Sequence, residues 1–208
     1  MMTGRKLVLI GAGGHAKACI EIIESAGDYS VARVVGQESD LGNQILGHKI
    51  SHTDNDLAEL RTEYDFAFIA IGHVHSPEKR IDTHSRLVQL GFQFPTIISP
   101  KSTVSRYAEI GSGSIVMNGA ILNADCKIGE NVIINSASLI EHDVWVGNHC
   151  HVSTRVSING GSKIGNGTFL GSGSVIRNGI EIGENSFVGM GSVITKSLPS
   201  NSIQKDYI

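Results

Sequence analysis

Aliphatic residues recur at every sixth position through the second half of the chain. The series runs through seventeen successive positions, from Ile98 to Ile194. Neither an α-helix, with 3.6 residues per turn, nor a β-strand, with a period of two, produces this spacing. Such regularity is typical of a hexapeptide-repeat solenoid. The positions are Ile98, Val104, Ile110, Val116, Leu122, Ile128, Ile134, Ile140, Val146, Val152, Ile158, Ile164, Leu170, Ile176, Ile182, Val188 and Ile194.

A second period of eighteen residues lies on top of the first, so three hexapeptides form one coil. It is marked by an aliphatic residue followed by glycine at Gly111, Gly129, Gly147, Gly165 and Gly183. Two residues before each aliphatic position the side chain is mostly small, as the narrow interior of a prism requires. We therefore predict a left-handed parallel β-helix of triangular section over residues 96–197 and a C-terminal tail over 198–208.

The residue before each inward aliphatic points outward, and these residues form three walls of the prism. The first wall is charged, whereas the second and third walls are apolar, which is unusual for a monomer. We predict a homotrimer in which the second wall of one subunit meets the third wall of the next. The alternative is that the N-terminal domain covers these walls. The first wall contains Glu109, Lys127, Trp145, Lys163 and Glu181; the second, Ile115, Ile133, His151, Phe169 and Phe187; the third, Ile121, Leu139, Ser157, Val175 and Val193.

Residues 1–95 show a different pattern, that of a small Rossmann-like α/β domain with a parallel sheet. Ser76 and Pro77 mark the start of its last helix, which runs to Leu90. The predicted strands cover 6–10, 31–35 and 66–71, and the first helix covers 16–25.

A glycine turn follows the first predicted strand. Gly11-Ala12-Gly13-Gly14-His15-Ala16 matches the G-x-G-x-x-G/A pattern, in which the backbone approaches a phosphate at a helix N-terminus. A dinucleotide site also needs an acid about twenty residues later, and Glu38 is a poor candidate. The pattern therefore favours a nucleotide phosphate over NAD.

Composition and charge exclude several classes of function. The chain has 208 residues, is 40% hydrophobic and has a net charge of −3, with Lys and Arg scattered. We expect a soluble cytoplasmic protein with no nucleic-acid or membrane partner and no signal peptide. Cys19, Cys126 and Cys150 have no paired spacing, and we interpret them as core residues.

His142 is the strongest candidate for chemistry. It lies at a corner of the β-helix, where the stacked residues are Ala124, Gly160 and Asn178, so there is open space around it. The neighbouring carboxylates of Glu141 and Asp143 can support an imidazole that acts as general base. The alternative is an ordinary surface histidine.

Two further histidines lie nearby. His151 stands alone in the apolar second wall and should have a partner or a ligand. Zinc bound by His142, His149 and His151 is a further alternative, but β-helical carbonic anhydrases split their ligands between subunits with a different spacing. We therefore predict no metal.

Two segments give the chain its resemblance to a known family. They are Gly11 to Lys17, at the glycine turn, and 135–147, which reads NSASLIEHDVWVG. Together with the two predicted domains, they resemble the sugar acyltransferases that include sialic acid O-acetyltransferases and nucleotide-amino-sugar N-acetyltransferases. The resemblance implies direct transfer from acetyl-CoA, with His142 as general base and Asp143 tuning it.

The same resemblance implies the binding residues. His151, Gly160 and Met190 match positions that contact acetyl-CoA. Gln37 and Glu38 stand where relatives often carry an acidic pair, and the ending 197–208 lacks the usual Gly-x-Pro-Ala-Lys-like tail. The positions assigned to the sugar nucleotide are Gly11, Gly13, Gly14, His15, Gln37, Glu38, Ile71 and Asn135.

The leading hypothesis is an acetyl-CoA-dependent N-acetyltransferase acting on a nucleotide-linked 4-amino-4,6-dideoxy sugar for a bacterial surface glycan. Residues 1–95 would bind the sugar nucleotide, and residues 96–197 would be the acyltransferase domain. One alternative is an O-acetyltransferase of sialic or related nonulosonic acids. Another is a non-catalytic β-helical trimer that binds a sugar nucleotide.

Overall fold

The computed structural model describes residues 4–205, which form two compact units. The first unit contains the chain up to Gly72 together with Lys79–Ile97. The second contains His73–Glu78 together with the chain from Ile98 onward. Among the described residues, no helix has the length and apolar character needed to cross a membrane.

The first unit is a five-stranded sheet with three α-helices. Strand order is β3-β4-β2-β1-β5, and every neighbouring pair is parallel except β3 with β4. Short 3₁₀ helices cover Glu38–Asp40 and Asp54–Asp56. The elements are β1 (Arg5–Ile10), α1 (Gly14–Ala26), β2 (Tyr29–Val35), β3 (Gln44–Ile45), β4 (His48–His52), α2 (Leu57–Glu63), β5 (Phe66–Ile69) and α3 (Glu78–Gln89).

Burial and capping account for the main elements of this unit. β1 is completely buried from Leu7 to Ile10, as expected for an interior strand covered on both faces. α1 ends where Gly27 adopts a left-handed conformation with φ of 80°. At the start of α3, the Ser76 hydroxyl accepts a hydrogen bond from the Glu78 N–H at 3.2 Å, which agrees with the capping role predicted for Ser76.

The second unit is a parallel β-helix of two-residue strands. Its three sheets have the orders β20-β17-β14-β11-β8, β23-β21-β18-β15-β12-β9-β6 and β22-β19-β16-β13-β10-β7. The strands are β6 (Ile97–Ile98), β7 (Thr103–Val104), β8 (Glu109–Ile110), β9 (Ile115–Val116), β10 (Ile121–Leu122), β11 (Lys127–Ile128), β12 (Ile133–Ile134), β13 (Leu139–Ile140), β14 (Trp145–Val146), β15 (His151–Val152), β16 (Ser157–Ile158), β17 (Lys163–Ile164), β18 (Phe169–Leu170), β19 (Val175–Ile176), β20 (Glu181–Ile182), β21 (Phe187–Val188), β22 (Val193–Ile194) and β23 (Ile203–Gln204).

The register between coils confirms the predicted fold class. Ile133 pairs with Ile115 on one side and with His151 on the other, so each coil contains eighteen residues. β23 pairs with β21, and the strand pairing therefore continues beyond residue 197, where the sequence placed the end of the β-helix.

The interior of the β-helix follows the hexapeptide pattern. The inward aliphatic residues are buried from Val116 to Ile194, whereas Ile98, at the open end of the first coil, is 39% exposed. The small inward residues are often serines whose hydroxyls bond to the backbone. Ser114 Oγ donates to the Gly129 carbonyl at 2.7 Å, and Ser138 Oγ donates to the Ser153 carbonyl at 2.8 Å. These hydroxyls are therefore satisfied inside the core, whereas those of Ser174 and Ser192 are buried without a hydrogen-bond partner among residues 4–205.

The corners have a conformational repeat of their own. From Gly113 to Gly191, every sixth residue has a positive φ, and Asp143 and His149 are among them, each with φ of 60°. Glycine, Asn and Asp tolerate this left-handed region best. Another corner needs glycine for close approach, because a Cβ at Gly147 would lie 2.5 Å from Asn166 Oδ1 in the next coil.

Part of the second wall is covered by residues 73–78 of the same unit, whereas we expected both apolar walls to be exposed. His75 stacks on Phe187 with ring centroids 5.4 Å apart, and His73 contacts Phe169 edge-on at 6.3 Å. Phe169 is consequently only 8% exposed. The hexapeptide pattern gave no sign of this cover, because residues 73–78 lie outside the repeat. The third wall remains open.

Candidate active site

The first unit has a cleft of about 400 Å³ at the carboxyl ends of its parallel strands. Residues that follow β1 and its two neighbours in the sheet, β2 and β5, line this cleft. This is where ligands bind in open α/β sheets. The lining residues are Ile10, Gly11, Ala12, Gly13, Gly14, His15, Val35, Gly36, Gln37, Asp40, Asp54, Ala70, Ile71, Gly72 and Lys79.

The glycine turn brings the backbone to the edge of the cleft. Gly11 has φ of 118°, its N–H donates to the Val35 carbonyl at 2.9 Å, and a Cβ there would lie 3.0 Å from the Ala70 oxygen. Gly13 and Gly14 face open space, because a Cβ added to either would have no atom of residues 4–205 within 4 Å. Since α1 begins at Gly14, its unpaired N–H groups and positive dipole end suit a phosphate.

The segment after β2 partly matches the sequence prediction. Gln37 lines the cleft, and its N–H donates to Asp40 Oδ2 at 3.1 Å. Glu38 does not line the cleft, whereas Asp40 does. Sequence reasoning missed Asp40 because it lies in a 3₁₀ turn that the hydrophobic pattern does not reveal. It also missed two other residues that line the cleft. Asp54 follows β4, and Lys79 lies in the first turn of α3.

The end of β5 is held by a buried arginine that the sequence analysis also missed. Arg80 is 1% exposed, and its Nη1 donates to the carbonyls of Ile69, at 3.1 Å, and Ile71. Burial lowers the pKa of the guanidinium to about 10, so it remains charged at neutral pH. Ile71, one of the predicted substrate-binding residues, lines the cleft directly above this support.

The second unit places the candidate base at a corner of the β-helix. The imidazole of His142 and the carboxylate of Asp143 form a hydrogen bond of 2.7 Å between Nδ1 and Oδ2. Both side chains are about two-thirds exposed. This hydrogen bond to Asp143 is the main cause that raises the pKa of His142 above its usual value. With Nδ1–H donating to the carboxylate, Nε2 is left to accept a proton.

Gly160 provides the surface on which the imidazole of His142 lies. A Cβ at Gly160 would be 2.7 Å from both Cε1 and Nε2 of the ring, a distance that no side chain tolerates. The backbone joins the same two coils, since the Gly161 N–H donates to the His142 carbonyl at 3.0 Å. The predicted stacking of these corner residues is therefore present.

His151 has its partner within its own unit. Its Nδ1–H donates to the His73 carbonyl at 2.7 Å, and its Nε2 accepts from Asn135 Nδ2 at 3.3 Å. The Asn135 amide is oriented in turn, because its Oδ1 accepts from the Ser136 N–H at 2.7 Å. The bonds together select the Nδ1–H tautomer of a side chain that is 8% exposed.

The remaining predicted residues have separate surroundings. Met190 has a 65% exposed side chain at another corner. His149 contacts Asn131 through Nδ1 at 3.0 Å. Across residues 4–205, no group of three or more His, Cys, Asp or Glu side chains is placed to hold a metal ion.

Two family models match the chain. The PglD N-terminal domain matches residues 6–83, and the bacterial transferase hexapeptide matches residues 161–196. No curated protein matches the sequence.

Solved structures match nearly the whole chain. PerB from Caulobacter crescentus, in complex with CoA and GDP-perosamine, is 32% identical with a TM-score of 0.89, covering 97% of this chain and 94% of its own. The acetyltransferase domain of PglB from Neisseria gonorrhoeae, in complex with acetyl coenzyme A, is 29% identical with a TM-score of 0.88. The match covers 98% of this chain and 97% of the PglB domain. WeeI from Acinetobacter baumannii shares the fold at 23% identity, with a TM-score of 0.76 and 95% coverage of both chains.

The comparisons confirm the resemblance that the sequence motifs indicated. The match to PerB covers almost all of both proteins, and it includes both the α/β unit and the β-helix. The chain belongs to the hexapeptide-repeat sugar acyltransferases that use acetyl-CoA, and it is an acyltransferase.

Proposed function

We propose that the chain transfers the acetyl group of acetyl-CoA to the amine of a nucleotide-linked 4-amino-4,6-dideoxy sugar that is destined for a bacterial surface glycan. The observation that carries the proposal is the exposed His142–Asp143 pair on the surface of Gly160. The similarity to PerB, which was crystallised with CoA and GDP-perosamine, supports an amino-sugar acceptor.

His142 acts as the general base in this mechanism. Its Nε2 removes a proton from the sugar amine while the amine nitrogen attacks the thioester carbonyl carbon. The new C–N bond forms, the C–S bond breaks, and the CoA sulfur leaves with the electron pair and takes up a proton. Asp143 accepts the Nδ1–H bond throughout and stabilises the imidazolium that forms.

The cleft of the first unit supplies binding of the nucleotide. The N-terminus of α1 and the open faces of Gly13 and Gly14 suit the diphosphate, which is doubly negative. Lys79 adds a positive charge to the same cleft. His15 and Ile71 complete the walls nearest to the phosphate turn.

The coenzyme contacts are proposed from the family resemblance and supported by local geometry. His151 is held in one tautomer and one orientation by His73 and Asn135, so it offers a fixed surface rather than a mobile side chain. Backbone amides at Gly160 and Met190 are the proposed donors to the thioester carbonyl or the pantetheine arm. A peptide N–H directed at the developing oxyanion lowers the barrier to acyl transfer.

The test is release of CoA from acetyl-CoA in the presence of UDP-, dTDP- and GDP-linked 4-amino sugars. We expect turnover of an amino sugar, an amide product by mass spectrometry, and a loss of roughly a hundredfold or more in kcat for His142→Asn. His149→Asn is the matched control, because His149 also occupies a corner of the β-helix and should leave the rate unchanged. Full activity in His142→Asn would reject the proposed base, and an ester product would reject N-acetylation.

A further inference from the structure

The cleft contains a carboxylate that local structure does not use. We propose that Asp54 recognises guanine, so that the chain takes a GDP-linked sugar. This inference rests on the proposed function, because it names the nucleotide carried by the same substrate.

The strand order of the sheet determines the order in which residues line the cleft. β4, β2, β1 and β5 are neighbours in the sheet, and adjacent strands lie about 4.8 Å apart. Each strand delivers residues to the cleft at its carboxyl end. In that order the residues are Asp54 after β4, Gln37 after β2, Gly11 to Gly14 after β1, and Ile71 after β5.

A nucleotide can lie along the ends of these strands in one orientation. Its diphosphate belongs at the N-terminus of α1, next to β1, and in related sheets the ribose lies at the end of the neighbouring strand, near an acid. Here that strand is β2, and Asp40 follows it. The base then lies beyond the ribose at the end of β4, about 10 Å from the phosphate turn at two strand spacings. Asp54 occupies that place.

Asp54 differs from the two aspartates that surround it in sequence and in the cleft. Asp40 Oδ2 accepts from the Gln37 N–H at 3.1 Å, and Asp56 Oδ2 accepts from the Thr53 N–H at 2.7 Å, so both hold short turns together. Among residues 4–205, the Asp54 carboxylate makes no hydrogen bond and no ion pair, although it lines the cleft. Both of its oxygens can therefore accept bonds from a ligand.

An ionised carboxylate accepts hydrogen bonds and cannot donate them, which selects among the bases. Guanine presents N1–H and the N2 amino group side by side, so it can donate two parallel bonds to Asp54. Uracil and thymine present one N–H between two carbonyl oxygens, which a carboxylate repels. Adenine presents its amino group beside an acceptor nitrogen. Guanine is the base that Asp54 fits.

The experiment is isothermal titration calorimetry of the full chain with GDP, UDP and dTDP. We expect wild-type protein to bind GDP at least about tenfold more tightly than the other two, in line with a bidentate contact to one base. Asp54→Asn should weaken GDP binding about tenfold and leave UDP and dTDP unchanged. Asp82→Asn, which removes an exposed carboxylate of α3 outside the cleft, is the control and should change none of the three affinities.

The alternative outcomes separate this inference from the proposed function. If UDP or dTDP binds as tightly as GDP, or if Asp54→Asn weakens all three equally, guanine recognition is wrong. Turnover of a UDP- or dTDP-linked amino sugar would then still uphold the acetyltransferase. GDP-selective binding without acetyl transfer would uphold guanine recognition and reject the proposed reaction, and no binding of any nucleotide would reject both.

Discussion

At the scale of single residues, the backbone conformation of the corner explains why the side chains of His142 and Asp143 are hydrogen-bonded to each other. Asp143 has φ of 60°, the left-handed conformation that the corner requires, and aspartate tolerates it better than most side chains. The corner therefore turns the carboxylate back toward the preceding imidazole, where Oδ2 lies 2.7 Å from Nδ1. Asp143 therefore both forms the turn and raises the pKa of the neighbouring imidazole.

The pH dependence of catalysis should reveal this coupling. The hydrogen bond to Asp143 raises the pKa of His142, and a general base must be unprotonated, so the acid limb of kcat/KM should lie above the ordinary histidine value of about 6.5. Asp143→Asn removes the negative charge, keeps a residue that tolerates positive φ, and should move that limb to lower pH. Rate measurements from pH 5 to 9 test the shift.

Asp125 gives a matched control for that experiment. It occupies the equivalent corner position one coil earlier and has the same φ of 60°. Asp125→Asn should leave the pH profile unchanged. An acid limb that stays in place in Asp143→Asn would show that Asp143 does not set the pKa of the catalytic base.

At the scale of elements, the stacking of coils brings Gly160 against His142. Gly160 does not have a positive φ, so its backbone would accept alanine, and the obstacle is the imidazole 2.7 Å from the added Cβ. Because the His142 side chain is about two-thirds exposed and can rotate away, we expect Gly160→Ala to change the free energy of unfolding by less than about 0.5 kcal/mol. It should nevertheless lower kcat at least about tenfold, since it displaces the imidazole of the proposed base. Thermal unfolding and steady-state rates measure the two effects.

A double-mutant cycle shows whether the clash is the cause. In a His142→Ala background the imidazole is gone, so Gly160→Ala should then leave the residual rate unchanged. A further loss of rate in that background would mean that alanine at 160 acts on the backbone and not through His142.

The elements also show where sequence reasoning succeeds and where it fails. The β-helix could be predicted strand by strand. Each coil must bury the aliphatic residue at every sixth position, and this requirement fixes how the strands of successive coils pair. The β3–β4 hairpin could not, since Leu46 and Gly47 form its two-residue turn with φ of 46° and 84°, and leucine is not a turn residue. Because β4 was not predicted, Asp54, which follows it, was not placed at the cleft either. The corner position of His142 could be predicted because it belongs to the repeat, and its role as general base stays a prediction.

At the scale of the whole molecule, the outward walls bear on assembly. Residues 73–78 cover His151 and the phenylalanines of the second wall, whereas Ile121, Val175 and Val193 of the third wall are 40%, 36% and 67% exposed. A row of exposed aliphatic side chains favours an interface. The third wall is therefore available for an interface in the predicted homotrimer. Any contact with the second wall would have to include the residues 73–78 that cover part of it.

Charge on the third wall should dissociate the assembly. We expect the wild-type protein to have three times the 22.1 kDa mass of one chain by light scattering coupled to size exclusion, and Val193→Asp to reduce that mass to a single chain, since a buried unpaired carboxylate is costly. Trp145→Asp is the control, because Trp145 is 42% exposed on the charged first wall and the trimer should survive its loss. A wild-type monomer, or a trimer unaffected by Val193→Asp, would contradict an interface on the third wall.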